Sequence, residues 1–280
     1  MKLIRSAKRL REALERARAH GKRIGFVPTM GCLHEGHLSL VRSARRENDI
    51  VVVSIFVNPT QFGPREDFKR YPRSLTHDRR LLSREQTAYL FVPSRATIYP
   101  NGFSDFVDPG PMARYLCGPK RPGHFRGVAT VVKRLFEIVE PHAAYFGLKD
   151  YQQARIVQDM ADRLGGFVKV RTCPLVRESD GLAMSSRNRY LSKQERTRAR
   201  SLYRSLREAK KRIGLGERNS SEVKSAVRKI LLHEVDTIDY IEAVDPSTCA
   251  PKKQVQPPVL VAIACYIGST RLIDNILIRR

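Results

Sequence analysis

One run of residues constrains the fold of this chain more than any other. Ile50-Val51-Val52-Val53-Ser54-Ile55-Phe56-Val57 is almost unbroken in β-branched and apolar side chains. A strand with one wet face alternates apolar and polar residues. A strand without alternation must be covered on both faces, as in the middle of a parallel sheet. Asn58-Pro59-Thr60 ends the run with turn residues. The flanking stretches fit such a sheet. Leu3, Ala7, Leu10, Leu14 and Ala17 recur at helical spacing, which predicts an amphipathic helix over 3–20 with Gly21 as its stop. Residues 24–27 read as a strand, 37–48 and 74–86 as helices, and 88–92 as another strand. Alternation of strand and helix implies an α/β fold with a parallel sheet and right-handed crossovers.

Further along, residues 93–126 are rich in Pro, Gly and aromatics and read as a long, functional loop. A helix over 128–139, a strand over Ala143–Gly147, a helix over 151–164 and a strand over 167–176 continue the pattern. The character then changes. Residues 192–213 and 220–234 are charged helices with apolar stripes, and Thr237–Val244, Val259–Ile267 and 271–278 read as strands, the last two joined through Gly268-Ser269-Thr270. A boundary near Val176 therefore separates a first domain, 1–175, from a smaller α+β C-terminal domain, 176–280. No internal repeat or low-complexity tract is present.

Composition narrows the class. The chain has 280 residues, 41% of them hydrophobic and 29% charged, which suits a globular protein rather than a disordered one. No apolar run approaches the roughly 20 residues that span a bilayer, so no membrane role is expected. Charges interrupt the start, Met1-Lys2-Leu3-Ile4-Arg5, unlike a signal peptide. The five cysteines are scattered, with no C-x-x-C pair, and a reduced, cytoplasmic protein is expected. The net charge is +24. Such a balance suits polyanionic partners, but aromatics are only 8% and Trp is absent. Stacking platforms for single strands are thus not advertised, and the basic residues are spread along the whole chain.

Two stretches carry chemistry. The first is Met30-Gly31-Cys32-Leu33-His34-Glu35-Gly36-His37, between a strand and a helix. A helix N-terminus with free N–H groups and a positive dipole end suits phosphate. The histidines miss the H-E-x-x-H spacing of zinc proteases by one residue, and no third ligand stands out. Two capped surface histidines remain one reading, and two donors to phosphate oxygens the other, with Gly36 allowing close approach. The second is Asp180-Gly181-Leu182-Ala183-Met184-Ser185-Ser186-Arg187-Asn188. Its hydroxyls and arginine suit phosphate oxygens, although Ser-Ser-Arg alone also reads as a solvated loop.

Together the two stretches resemble the paired HIGH and KMSKS signatures of the nucleotidyltransferase superfamily, which performs adenylyl transfer on a Rossmann-like sheet. Five ordered blocks resemble one family within it more closely, the pantoate–β-alanine ligases. These are Pro28 to His37, Phe56-Val57-Asn58-Pro59-Thr60-Gln61-Phe62, Arg121-Pro122-Gly123-His124-Phe125-Arg126-Gly127 with the residues up to Val132, Gly147 to Gln153, and Asp180 to Asn188.

The resemblance implies that pantoate and β-alanine are joined with ATP and Mg²⁺, through a pantoyl adenylate, with release of AMP and pyrophosphate. It implies an ATP site of Met30, Gly31, Cys32, Leu33, His34, Glu35, Gly36, His37, Gly147, Leu148, Lys149, Asp150, Val176, Met184, Ser185, Ser186 and Arg187. His37 would be the catalytic proton donor, with His34, Lys149 and Arg187 acting at the phosphates. Asp150 would bond ribose or help place Mg²⁺, and Val176 would meet adenine through its backbone. Gln61 and Gln153 would hold pantoate, with Gln61 also beside β-alanine. A homodimer and a mobile C-terminal lid are further implications. Cys32 stands at a variable position, Leu148 replaces a common acidic residue and Ser179 a frequent proline. Other members of the superfamily and an RNA-binding protein on this fold are the alternatives. Gln61, Gln153 and the Arg121–Val132 block argue against the first, and the intact His34, His37, Lys149 and Arg187 against the second.

Overall fold

The computed structural model describes residues 1–64 and 66–279. In chain order its elements are β1 (Lys2–Ile4), α1 (Ala7–Ala19), β2 (Ile24–Thr29), α2 (Glu35–Glu47), β3 (Ile50–Ile55), α3 (Leu75–Arg84), β4 (Tyr89–Phe91), α4 (Arg95–Ile98), α5 (Cys117–Lys120), α6 (His124–Val139), β5 (Ala143–Gly147), α7 (Tyr151–Arg163), β6 (Lys169–Cys173), α8 (Lys193–Ala199), α9 (Ser201–Gly214), α10 (Ser220–Leu231), β7 (Thr237–Val244), β8 (Val259–Ile267) and β9 (Thr270–Ile278). Short 3-10 turns lie at Pro59–Gln61, Pro111–Arg114, Leu148–Asp150 and Ser186–Tyr190. The chain divides into two compact units. The first comprises Met1–Gly110, Arg121–Leu148 and Gln153–Pro174, and the second comprises Pro111–Lys120, Lys149–Gln152 and Leu175–Arg280. Two short segments that precede Leu175 in the chain are thus grouped with the second unit.

The first unit is built on a six-stranded sheet of order β1-β4-β3-β2-β5-β6, and its pairs are parallel. Side-chain alternation sends the two faces into separate cores. Phe26, Val52, Phe91 and Ala144 join Leu10 and Leu14 of α1 and Leu135 and Phe136 of α6 on one face. Val27, Val51, Val53, Leu90 and Tyr145 join Leu38 and Val41 of α2 and Leu82 of α3 on the other. This double cover is why β3 has no polar face. The strand order reverses between β2 and β5. In open α/β sheets the carboxyl ends of the strands at such a reversal are where ligands bind.

The second unit holds a three-stranded antiparallel sheet, β7-β8-β9. Its strands and the helices α9 and α10 share a core that includes Leu202, Leu206, Val223, Val227, Val261 and Ile263. Gly268 and Ser269 form the two-residue turn from β8 to β9, because Ile267 pairs with Thr270. Gly268 supplies the left-handed backbone there, at φ +56°.

Several boundaries differ from the sequence expectations. The first helix does not begin at Leu3. Lys2–Ile4 pairs with β4, its ends fixed by Lys2 N to Ala88 O at 2.8 Å and Val92 N to Ile4 O at 2.9 Å. Ser6 then caps α1 by accepting from Arg9 N–H at 3.4 Å. Leu3 fits the helical period by coincidence, and only tertiary pairing decides otherwise. The expected helix 192–213 is two helices, separated at Arg200, whose N–H bonds Thr197 O rather than the residue four back. The expected loop 93–126 contains α4 and α5 and the first turn of α6. The expected strand 167–176 is limited to Lys169–Cys173, with Phe167 exposed.

Phe26 is fully buried between α6 and the sheet and meets Phe136 edge-on, with ring centroids 6.4 Å apart. Phe26→Ala should therefore cost about 3–5 kcal/mol of stability, measurable as a lowered urea midpoint with an unchanged slope.

Candidate functional site

The site in the first unit starts where β2 ends. Thr29 Oγ1 donates to the Ser54 carbonyl at 2.7 Å and accepts from Gly31 N–H at 3.2 Å. The chain then turns through two left-handed residues, Gly31 at φ +80° and Cys32 at φ +52°. Glycine suits the first, because a Cβ there would sit 3.0 Å from Ile55 and 3.1 Å from the Asp78 carboxylate. The second is a strained position for a side chain, and Cys32 is buried at the turn. Asp78 of α3, 1% exposed, holds it there. Its two oxygens accept from Cys32 N–H at 2.9 Å and Leu33 N–H at 2.8 Å.

The turn delivers the chain to α2, whose N-cap is His34. The helix therefore begins at Glu35, before the His37 of the sequence reading, and His37 lies in its first turn. His34 N–H donates to His37 Nδ1 at 3.4 Å, and the rings lie 4.1 Å apart. A ring that accepts at Nδ1 carries its proton at Nε2 when neutral. Both imidazoles sit where the backbone N–H groups and helix dipole favour an anion.

Gln61 is built into the same unit through several polar contacts. Its Nε2 lies 3.0 Å from Met30 Sδ, which joins the first block to the second. Its Oε1 accepts from Asn58 Nδ2 at 3.1 Å, and the same amide donates to Gly127 O at 3.1 Å. Asn58 is 1% exposed, and its Oδ1 accepts from Tyr99 Oη at 2.8 Å and Thr60 Oγ1 at 3.0 Å. Burial raises the Tyr99 pKa, against these hydrogen bonds, so the phenol is a lasting donor. Gly127 must be glycine, because a Cβ there would lie 2.4 Å from Thr60 O.

His124 Nδ1 reaches Gln61 O at 2.7 Å, and Arg121 Nη1 reaches His124 Nε2 at 2.9 Å. Since guanidinium only donates, Nε2 is the acceptor and Nδ1 the donor. Arg121 is anchored in turn by a two-pronged bond to Glu66, at 2.7 and 2.6 Å. Gln153, on α7, is half-buried in this unit.

Of the remaining expected residues, Gly147 and Leu148 belong to the first unit and the others to the second. Gly147 ends β5 and Leu148 follows it. Lys149 Nζ lies 3.7 Å from Asp150 Oδ1, and Lys149 O accepts from Asn275 Nδ2 at 2.9 Å. The second loop is a small hairpin. Met184 N–H donates to Val176 O at 3.0 Å and Glu178 N–H to Leu182 O at 2.8 Å. An adenine contact through the Val176 backbone would therefore fall to its N–H or to the second lone pair of its carbonyl. Ser185 caps the Ser186–Tyr190 turn, its Oγ accepting from Arg187 N–H at 3.2 Å. Among the described residues no three His, Cys, Asp or Glu side chains gather as a metal cage would, and no helix is long and apolar enough to cross a membrane.

Sequence reasoning missed several supporting residues. Asn58, Arg121 and His124 lay inside recognised blocks, where their residue types were the available signal. Asp78, Tyr99 and Glu66 gave none, since each acts through a contact made only in the fold. Asp78→Ala should cost roughly 3 kcal/mol or more, because two charge-assisted bonds are lost and two N–H groups are left buried. Denaturant unfolding measures that loss.

Glu66 gives a pH test. Burial alone would raise its carboxyl, but the Arg121 hydrogen bonds and charge outweigh burial and hold it below its ordinary 4.5. A depressed folded value makes this contribution complete above the unfolded pKa and lost as pH falls through the folded one. Glu66→Gln should therefore flatten that acid limb of the stability curve.

Known proteins share this sequence and fold. The family model described as pantoate-beta-alanine ligase matches residues 2–277. A pantothenate synthetase of Fervidobacterium nodosum is 53% identical over 278 residues, covering 99% of each chain. One from Thermotoga petrophila is 52% identical over 276 residues, covering 98% of this chain and 99% of its own. The crystal structure of the pantothenate synthetase from Thermus thermophilus superposes with a TM-score of 0.94 at 45% identity, covering all of both chains. That of the ligase from Francisella tularensis, complexed with β-γ ATP and β-alanine, superposes at 0.83 and 35% identity, covering 99% of this chain and 97% of its own. Sequence and fold agree along the whole length, and this chain belongs to the pantoate–β-alanine ligase family of enzymes.

Proposed function

We propose that this chain condenses pantoate with β-alanine, using ATP, through a pantoyl-adenylate intermediate. One observation carries the reading: the family match runs the length of the chain and includes a paired-histidine helix N-terminus at the end of β2, a strand at the sheet's reversal. In the first step a pantoate carboxylate oxygen bonds to the α-phosphorus of ATP, and the bond to the β-phosphate oxygen breaks. Pyrophosphate leaves. In the second step the β-alanine amine attacks the acyl carbon, the carbon–oxygen bond to AMP breaks, and the amine gives up a proton as the amide forms.

This chemistry asks for charge stabilisation at phosphate more than for proton transfer. His37 and His34 are assigned to the phosphate oxygens, with Nε2–H of His37 as a donor. Met30 to Glu35 and Gly36 form the nucleotide turn. Lys149 and Arg187 supply positive charge, and Gly147, Leu148, Val176, Met184, Ser185 and Ser186 complete the nucleotide contacts. Gln61 and Gln153 bind pantoate. The amide of Gln61 is oriented by Asn58, whose Oδ1 accepts from Thr60 N–H, Thr60 Oγ1 and Tyr99 Oη, so that it presents its NH₂ to Gln61 Oε1. Gln61 is thereby left with Nε2, beside Met30 Sδ, as the donor that would bond pantoate.

Mg²⁺ arrives with ATP. Bound Mg²⁺ would neutralise phosphate charge and would need one or two protein carboxylates beside the substrate phosphates. Asp150, half-exposed next to Lys149, is the carboxylate that suits it.

The test is a coupled assay for AMP, pyrophosphate and pantothenate. Pyrophosphate formation should require pantoate, and pantothenate formation should require both co-substrates. Pyrophosphate release independent of pantoate would overturn the assignment. His37→Ala should lower turnover by about 10²–10³-fold with an unchanged melting temperature, and wild-type turnover in that variant would remove His37 from its role.

A further inference from the structure

We infer that Asp274 and Asn275 of β9 are positioning residues for nucleotide binding: adjacent residues of one strand set the place of both the Lys149 segment and the loop carrying Met184–Arg187. The inference rests on the reading above that these two segments hold ATP. It concerns residues outside the five motif blocks of the sequence.

The starting observation is a buried charge. Asp274 is 2% exposed on a strand of a small sheet. Desolvation pushes its carboxyl up, against the bonds and charge of Arg177. Replacing a buried ion pair as a whole by well-packed apolar residues is often neutral or stabilising, so stability alone does not account for the pair that Asp274 makes. The position of Arg177 supplies another reason. Arg177 Nη1 and Nη2 reach the two Asp274 oxygens at 2.7 and 2.9 Å, a two-pronged geometry. The same guanidinium donates to Gly181 O at 3.0 Å and to Asn275 O at 3.4 Å. It also lies over Tyr203, 3.7 Å from the ring centroid.

Arg177 and Gly181 are the base and the tip of the hairpin that leads into Met184. Gly181, at φ +91°, is pressed on Tyr203 so closely that a Cβ would lie 2.7 Å from the ring. The hairpin is closed by a bridge between Arg177 and Ala183. Its far side is tied by Asn188, whose Nδ2 donates to Glu178 Oε1 at 2.7 Å and Ala183 O at 3.1 Å. Arg196 of α8 joins Glu178 to Asp180, the latter at 3.0 Å. These bonds make the loop one stiff body, and Asp274 fixes that body to β9. The next residue does the same for the other segment. Asn275 N–H donates to Asp274 Oδ1 at 2.7 Å, and its Nδ2 donates to Lys149 O at 2.9 Å. Lys149 is also among the charges that act on Asp274. Two segments that each carry a cation, Lys149 in 149–150 and Arg187 in 184–187, are thus referenced to neighbouring residues of one strand. Displacements of about 1 Å at such groups are enough to change rates by up to ~10²-fold.

Three variants test this. Asn275→Asp keeps the size of the side chain but cannot donate to Lys149 O, and Asn275→Ala removes the tie outright. Asp274→Asn keeps the shape but removes the charge that holds Arg177. Steady-state kinetics with each substrate varied, binding of a non-hydrolysable ATP analogue by calorimetry, and melting temperatures are read for each. For Asn275→Asp and Asn275→Ala the expected result is a KM for ATP, and a Kd for the analogue, raised about 5–10-fold. The KM values for pantoate and β-alanine should stay within about two-fold, and the melting temperature should be unchanged. Asp274→Asn should show the same selective loss to a larger degree. An unchanged ATP KM in both Asn275 variants overturns the inference, as does a rise of all three KM values together with a lowered melting temperature. If Asp274→Asn fails to fold, the Asn275 pair decides alone. A wild-type protein that forms no pyrophosphate from ATP and pantoate would instead overturn the function on which the inference rests.

Discussion

The carboxylate of Asp78 holds the turn on which the first unit's site depends. Two consecutive left-handed residues, Gly31 and Cys32, are not a conformation the chain keeps without a reason. The reason is the pair of N–H groups, of Cys32 and Leu33, that both point at one buried carboxylate. Those bonds turn the end of β2 into the start of α2 within a few residues. Asp78 belongs to α3, whose Leu82 packs in the same core as Leu38 and Val41 of α2. The turn is therefore registered against the sheet by apolar packing and against its own helix by charge-assisted bonds. His34 and His37 inherit their positions from that arrangement.

Gln61 shows the same logic with neutral groups. An amide can face either way, and a substrate-binding amide must face one way. Asn58 decides this by giving its Oδ1 to two hydroxyls and its NH₂ to Gln61 and Gly127. The backbone of Gln61 is held by His124, whose tautomer is set by Arg121, which Glu66 holds in turn. Each donor in that chain has an acceptor of the correct kind, and a buried network is stabilising only when that is so.

How much of this was legible follows from how far apart the partners lie in the chain. β3 was readable because double burial leaves a local mark, an apolar run without alternation. The histidine pair and Gln61 could be put forward as candidates because they sit in contiguous blocks. β1 was not, because three residues carry too little period and only pairing with β4 makes them a strand. The split between α8 and α9 was invisible because the apolar stripe continues through Arg200. Asp78 was hidden among the charges of an amphipathic helix. Its role exists only through contacts 45 and 46 residues away. Asp274 is hidden in the same way, since its partner Arg177 lies 97 residues back.

The net charge of +24 also acquires a meaning from these contacts. Acidic residues number 28 against 52 lysines and arginines, and several of the few are committed to fixed arginines. Glu66 holds Arg121, Asp239 holds Arg271, Glu178 and Asp180 hold Arg196, and Asp274 holds Arg177. The surplus is left on the surface, as at Arg207, Lys210 and Lys211 along α9. A positive surface of this kind raises the encounter rate with polyanions such as ATP and is screened by salt within about 10 Å. It cannot tell one polyanion from another. Selection among acids must come from groups whose hydrogen-bonding sense is fixed, and on the function proposed above that group in the first unit is the Gln61 amide. On that proposal charge and specificity are separable: diluting the surface charge would act on how often a nucleotide arrives, whereas disturbing Asn58 would act on which acid is taken once it has.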